Sequence, residues 1–214
     1  MNAAPILVTA AVAAAAAPWQ VNAVIRETGS RPPRSREVAG YAALTTGVAA
    51  ALAVRVPVLA LPAAVLLVVA GVPLAVIDAR CHRLPDRLTG LAVLAVTAAF
   101  TAAAAIDRSP ERLSAAATGA VTMAGFYGLL LIASVVVGSA AAYGLGDVKL
   151  AASIGAVLGW LGPLPWFAGL LGAHLLYIGV HGSRALAGRI GWRGRHAYGP
   201  PMLAAAALAA ALLG

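Results

Sequence analysis

Two short stretches carry the acidic side chains that could do chemistry in this chain. The first is Ile77-Asp78-Ala79-Arg80-Cys81-His82-Arg83-Leu84-Pro85-Asp86-Arg87-Leu88-Thr89, and the second is Tyr143-Gly144-Leu145-Gly146-Asp147-Val148-Lys149. Each sets an aspartate, Asp78 or Asp147, at the mouth of a long apolar run. An ionisable group at membrane depth is costly and marks a functional site by default. Two carboxylates in one site divide the work of hydrolysis. One acts as a base that activates water, and the other as an acid that protonates the carbonyl oxygen and the leaving amine. They divide it because like charges at close range cannot both ionise readily and so share a proton.

The surroundings suggest which aspartate does what. Asp147 opens an apolar segment, where a helix N-terminus favours its ionised form. The initial base is therefore expected at Asp147 and the acid at Asp78. Gly144 and Gly146 let another backbone approach closely. Each residue taken alone has a plainer alternative. Asp78 could be an interfacial residue paired with Arg80 or Arg83, and Asp147 an N-cap. Asp86, after Pro85, is expected to cap the next helix. Lys149 lies two residues from Asp147, off its helical face, and is expected to anchor at the membrane interface.

The elements that position these groups follow from composition. Of 214 residues, 62% are hydrophobic and 10% charged, against about 25% charged in soluble domains. This predicts an all-α, polytopic membrane bundle forming a single domain over 1–214, with its motifs within 72–150. Eight spans are predicted, at 5–25, 38–54, 58–77, 88–106, 113–138, 148–162, 164–181 and 198–213, the second, sixth and eighth being short. The first lacks the basic n-region of a signal peptide and is expected to be an uncleaved helix. Loop charge alternates with these spans: twelve Lys and Arg residues fall on one side and three on the other. By the positive-inside rule Asp78, Asp86 and Asp147 face the cytoplasm. The net charge of +8 comes without a basic helix or aromatic–basic interleaving, so it does not indicate nucleic acid.

Other polar residues have ordinary expected roles. Ser109-Pro110-Glu111 reads as an N-cap, first-turn proline and dipole-matched acid opening the fifth span. Gly159, Gly162 and Pro163 read as a tight turn. Asp107 and Glu111 are expected to pair with Arg108 and Arg112. His174 is expected to make a helix-packing hydrogen bond, while His181 and His196 are expected to be solvated. Trp19, Trp160, Trp166 and Trp192 are expected near span ends. The single cysteine, Cys81, forms no internal disulfide or C-x-x-C site, and no metal is expected.

The pattern Asp78 … Leu84-Pro85-Asp86 … Leu88-Thr89, followed by Gly144-x-Gly146-Asp147-x-Lys149, resembles the type IV prepilin peptidase (leader peptidase) family. Trp19 to Arg26 and Tyr198-Gly199-Pro200-Pro201-Met202-Leu203-Ala204 are similar to its motifs near the end of the first span and the start of the last. The resemblance implies an eight-span aspartic endopeptidase with Asp78 and Asp147 as its catalytic pair. Gly144, Gly146, Pro85, Asp86 and Lys149 would be supporting motif residues. It further implies prepilin-like precursors as substrates, each cut on the cytoplasmic face of the cell membrane after a glycine that precedes an apolar stem. The partners are then the precursor and the lipid bilayer. Proteolysis would need no cofactor. S-adenosylmethionine would enter only if the protein also methylates the new terminus, as long family members do. The loop Glu27 to Glu37 lacks the two C-x-x-C pairs of those long members, which makes this a short form. The reading from another class is an ion- or proton-coupled transporter component using Asp78 and Asp147 as ligands. It would call for broken helices or repeat symmetry, and neither is evident in the sequence.

Overall fold

The computed structural model describes residues 4–31, 35–137, 143–188 and 197–214. The structure of these residues is all-helical: α1 (Ala4–Ala15), α2 (Ala17–Thr28), α3 (Ser35–Arg55), α4 (Leu61–Cys81), α5 (Asp86–Asp107), α6 (Pro110–Val136), α7 (Leu145–Leu161), α8 (Pro163–Leu186) and α9 (Gly199–Leu213). Helices α1 and α2 make one apolar segment, Ala4–Thr28, interrupted at Ala16 just before Pro18. Eight helical segments thus match the eight expected spans. Six of them are long and apolar enough to cross a membrane, so this is a multi-pass membrane protein. The expected brevity holds for α7 (17 residues) and α9 (15 residues). It does not hold for the second span, which reaches 21 residues in α3 because Ser35 to Glu37 join its first turn and Arg55 its last.

Helix boundaries follow local chemistry. Proline occupies the first turn of α2, α4, α6, α8 and α9, where its missing N–H costs nothing. Helices α2, α4 and α5 end on the left-handed residues Gly29, His82 and Arg108, a common helix stop. Gly162, at φ 127°, makes the turn from α7 into α8. Gly159 departs from expectation, being inside α7 and packed on α6 rather than in the turn. Ser109 also departs from it. At φ −113° and ψ 72° it makes no side-chain cap, and its buried hydroxyl has no partner among the described residues.

Packing relies on small residues, because helix association in lipid lacks the driving force of water exclusion. Helices α6 and α7 cross where Ala115 and Gly119 meet Gly155 and Gly159. A Cβ on Gly155 would lie only 2.3 Å from the Gly119 carbonyl oxygen, and one on Gly159 would lie 2.6 Å from that of Ala115. Trp166 Nε1 donates to the same Gly119 carbonyl at 3.1 Å. Large apolar side chains such as Leu94, Val121, Ile132 and Ile178 remain exposed on the outside, as a lipid-facing surface requires.

Helix α4 lies at the centre, against α2, α3, α5, α7 and α9. It contains Pro73, which has no N–H to give the Val69 carbonyl one turn back. The fully buried Gln20 of α2 supplies the missing donor, with Nε2 to Val69 O at 2.9 Å. Thr45 of α3 donates in turn to Gln20 Oε1 at 3.1 Å. A closed polar triad therefore ties three helices together within the apolar core.

The four tryptophans are not uniformly interfacial. Trp19 is inside the first apolar segment, whereas Trp166 is in the first turn of α8. Trp160, near the end of α7, is buried and stacks on Phe100 at 4.6 Å. Trp192 and His196 lie outside the described residues, as do Arg34, Arg189, Arg193 and Arg195. Arg112 pairs with Asp107 at 3.7 Å, within the ion-pair cluster expected there.

Candidate active site

One end of the bundle gathers the acidic motifs. Asp78 is in the last turn of α4 and only 4% exposed. Its Oδ2 accepts the Gly199 N–H at 2.8 Å, and Gly199 is the first residue of α9. Among the described residues neither Arg80 nor Arg83 forms an ion pair with it. Arg83 reaches Glu27 at 3.7 Å and Arg80 reaches Ser30 at 3.4 Å. The reason is direction: both arginines lie past the end of the buried face and point toward the end of α2.

Asp147 occupies the third position of α7, and its Oδ2 accepts the Gly144 N–H at 2.8 Å. Gly144, not Asp147, is the N-cap of α7, because the helix already starts at Leu145; Asp147 at the third helical position reaches back to the Gly144 N–H. Each carboxylate thus rests on a backbone N–H at a helix N-terminus, α9 for Asp78 and α7 for Asp147, where the helix dipole favours negative charge. Asp147 also lies within electrostatic range of Asp78.

The loop from α4 to α5 joins the two. A Cβ on Gly146 would lie 2.6 Å from Leu84 Cβ and 2.9 Å from its carbonyl oxygen, while one on Gly199 would lie 3.0 Å from Asp78 Oδ2 and 3.4 Å from Leu84 Cδ2. Leu84 therefore packs against the starts of both α7 and α9. Pro85, extended at φ −65° and ψ 128°, opens α5, and the Thr89 hydroxyl donates to the Pro85 carbonyl at 3.2 Å. Asp86 is the first residue of α5 and exposed; the cap position falls to Pro85 and Asp86 makes no side-chain cap, because its carboxylate turns to Lys149. Its carboxylate takes the Lys149 ammonium at 2.5 Å. Lys149 is therefore not a free interfacial anchor, because α5 and α7 run close enough here for the two chains to meet.

Aromatic rings fill the space behind the carboxylates. Tyr198 is almost fully buried, with its ring centroid 5.1 Å from Tyr143, 5.7 Å from Tyr127, 5.6 Å from His174 and 4.7 Å from Tyr177. Tyr127 is also within range of the Asp147 charge. Burial pushes the Tyr143 hydroxyl above its ordinary pKa, so it remains neutral. His174 bonds within its own helix, Nδ1 to Leu170 O one turn earlier at 2.8 Å, rather than across to a neighbouring helix as expected, and its ring packs beside Tyr127. His181 is inside α8, stacked on Tyr177 at 4.3 Å; the expectation of a solvated residue beside the loop fails because α8 runs to Leu186. Sequence reasoning passed over this cluster. Its available signal was a Tyr-Gly pair before each structure that holds a carboxylate, Tyr143-Gly144 and Tyr198-Gly199.

An apolar groove of about 260 Å³ runs between α3, α4 and α9. Its wall extends from Leu52 and Ala64 to Val76 and Pro200. Val76 is two residues before Asp78, and Pro200 follows Gly199, the donor to Asp78, so the groove ends near the buried carboxylate.

A model described as the type IV leader peptidase family matches residues 63–214, which is more than half of the chain and includes both acidic motifs. No curated protein and no solved structure matches the chain.

Proposed function

Because the chain belongs to the type IV leader peptidase family, a family of aspartic-type prepilin peptidases, we propose that it removes the leader of a prepilin-like precursor with Asp78 and Asp147 as the reacting pair. The substrate carries a short basic leader, a glycine and then an apolar stem helix. The observation that carries this reading is that two distant aspartates are each seated on a helix N-terminus at the same end of the bundle, within electrostatic range. The stem lies in the groove between α3, α4 and α9, and the peptide bond before it reaches the carboxylates at the groove's end. The positive-inside rule applied to the basic loops supports a cytoplasmic position for this end.

Asp147, ionised at the start of α7, takes a proton from water as the water oxygen attacks the scissile carbonyl carbon. Asp78 gives its proton to the carbonyl oxygen. As the tetrahedral species collapses, one of its hydroxyls returns a proton to Asp78 while the C–N bond breaks and the leaving amine takes the proton held by Asp147. The two carboxylates and water suffice, with no cofactor. Gly144 leaves space for an extended backbone while Gly146 admits Leu84 of the α4–α5 loop, Pro85 precedes α5 at the site, and the Asp86–Lys149 pair links α5 to α7.

The test is cleavage of a precursor by membranes carrying single variants, with sequencing of the product's new N-terminus. Asp78→Asn and Asp147→Asn each abolish cleavage at normal expression, while Asp86→Asn is mild. Full activity in either of the first two removes the proposed pair.

A further inference from the structure

The two carboxylates are held by the same dipeptide. Tyr143-Gly144 gives its glycine N–H to Asp147, and Tyr198-Gly199 gives its glycine N–H to Asp78, both at 2.8 Å. The two tyrosine rings meet edge-on at 5.1 Å. Each ring is one residue from a donor, so ring position and N–H position are coupled by a single peptide unit. Tyr127 of α6 touches both rings, at 6.1 Å and 5.7 Å, and Tyr177 of α8 closes on Tyr198.

We infer that Tyr143 and Tyr198 are positioning residues, whose ring contact fixes the distance between the glycine donors and hence between Asp78 and Asp147. This rests on the proposed pair. The two segments are far apart in sequence and share no backbone hydrogen bond among the described residues. One precedes α7 and the other precedes α9, and the helices between them leave through the far end of the bundle. Leu84 approaches Gly146 and Gly199 but not the donor Gly144. Edge-to-face ring pairs supply directional contact that an aliphatic side chain of similar size does not. The ring, not the hydroxyl, is the working part. The Tyr198 hydroxyl is buried against the side chains of Tyr127 and Tyr143, and the Phe variants remove that hydroxyl while keeping the ring pair.

The experiment uses the full chain purified in detergent or lipid and a recombinant precursor with a basic leader, a glycine and an apolar stem. kcat, KM and Tm are measured for Tyr143→Leu, Tyr198→Leu and the two Phe variants, beside Asp78→Asn and Asp147→Asn. Loosening the pair by a few tenths of an ångström to 1 Å costs about 10- to 100-fold. The Leu variants therefore lose about tenfold or more in kcat with KM within about twofold, and the Phe variants keep kcat near the starting value. Tyr198→Leu opens a cavity among four rings; should it fail to fold, Tyr143→Leu, at a half-buried loop position, carries the test alone. Wild-type kcat in Tyr143→Leu overturns the inference, as do a loss confined to KM and Phe variants as impaired as the Leu ones. If the Asn variants still cleave, the proposed pair itself is wrong. If they are dead while the Leu variants are unaffected, only the positioning role falls.

Discussion

The two glycines of Gly144-x-Gly146-Asp147 are not equivalent, and the difference can be measured. A Cβ on Gly146 meets Leu84 Cβ at 2.6 Å and the Leu84 carbonyl oxygen at 2.9 Å, where unstrained carbon contacts lie at about 3.5–4.0 Å. Neither atom is the end of a flexible side chain, so α7 and the α4–α5 loop must separate by about 1 Å. Asp147 rides on one of these segments and Asp78 on the helix leading into the other. A misplacement of about 1 Å in a reacting group costs about 100-fold in rate, so Gly146→Ala should lower kcat by roughly that factor. Gly144 presents a different case. A Cβ there would meet only Asp147 Oδ2 at 3.6 Å and the Gly146 nitrogen at 3.9 Å, and its backbone, at φ −119° and ψ 166°, is open to any residue. Gly144→Ala should stay within about twofold of the starting rate, the spread of substitutions that create no clash. Precursor cleavage by purified variants, with Tm as a folding control, reads both. Leu84→Ala should not rescue Gly146→Ala, since the obstructing Cβ and carbonyl remain. Full activity in Gly146→Ala, a larger loss in Gly144→Ala, or rescue by Leu84→Ala would refute the steric argument.

Three further outcomes are expected. Gln20→Leu should destabilise the protein by about 1–3 kcal/mol, because it strands the Val69 carbonyl and the Thr45 hydroxyl; in a Pro73→Ala background, where residue 73 regains an N–H for Val69, the same substitution should cost less, and strict additivity of the two Tm shifts would count against the triad. Breaking the exposed Asp86–Lys149 pair by Asp86→Asn or Lys149→Gln should cost no more than about 1 kcal/mol; complete loss of cleavage in Lys149→Gln would assign it a direct role in the reaction. Gly155→Ala should lower Tm, by about 1–3 kcal/mol in stability, since its Cβ would sit against the Gly119 carbonyl; unchanged unfolding would contradict the close α6–α7 crossing.

Features with a period or a unique chemical reason were legible in the chain. Apolar run length placed eight segments, and proline at helix starts placed several boundaries. Where more than one structural role shares a residue type, sequence was blind. Gly159 reads equally well as turn or helix contact, and only the facing carbonyl of Ala115 distinguishes them. Lys149 reads as an interfacial anchor until α5 brings Asp86 beside it across 63 positions. The tyrosine cluster assembles residues from α6, α8 and two loops, none of which carries a local signal of meeting the others. Gln20 became intelligible only beside Pro73, since its partner is a backbone carbonyl that sequence does not display as unsatisfied.

The Gln20–Val69 bond has a bearing on where the working unit begins. Homology to the family starts at Ala63, so the proline-interrupted helix that bears Asp78 falls wholly within the shared portion except for its first two residues. Yet the donor that mends its interruption comes from residue 20, and the threonine that orients that donor comes from residue 45. The leading helices thus act as a splint set from outside the homologous stretch. A fragment trimmed to the shared boundary would retain both acidic motifs and lack the graft that keeps the helix carrying Asp78 fully bonded.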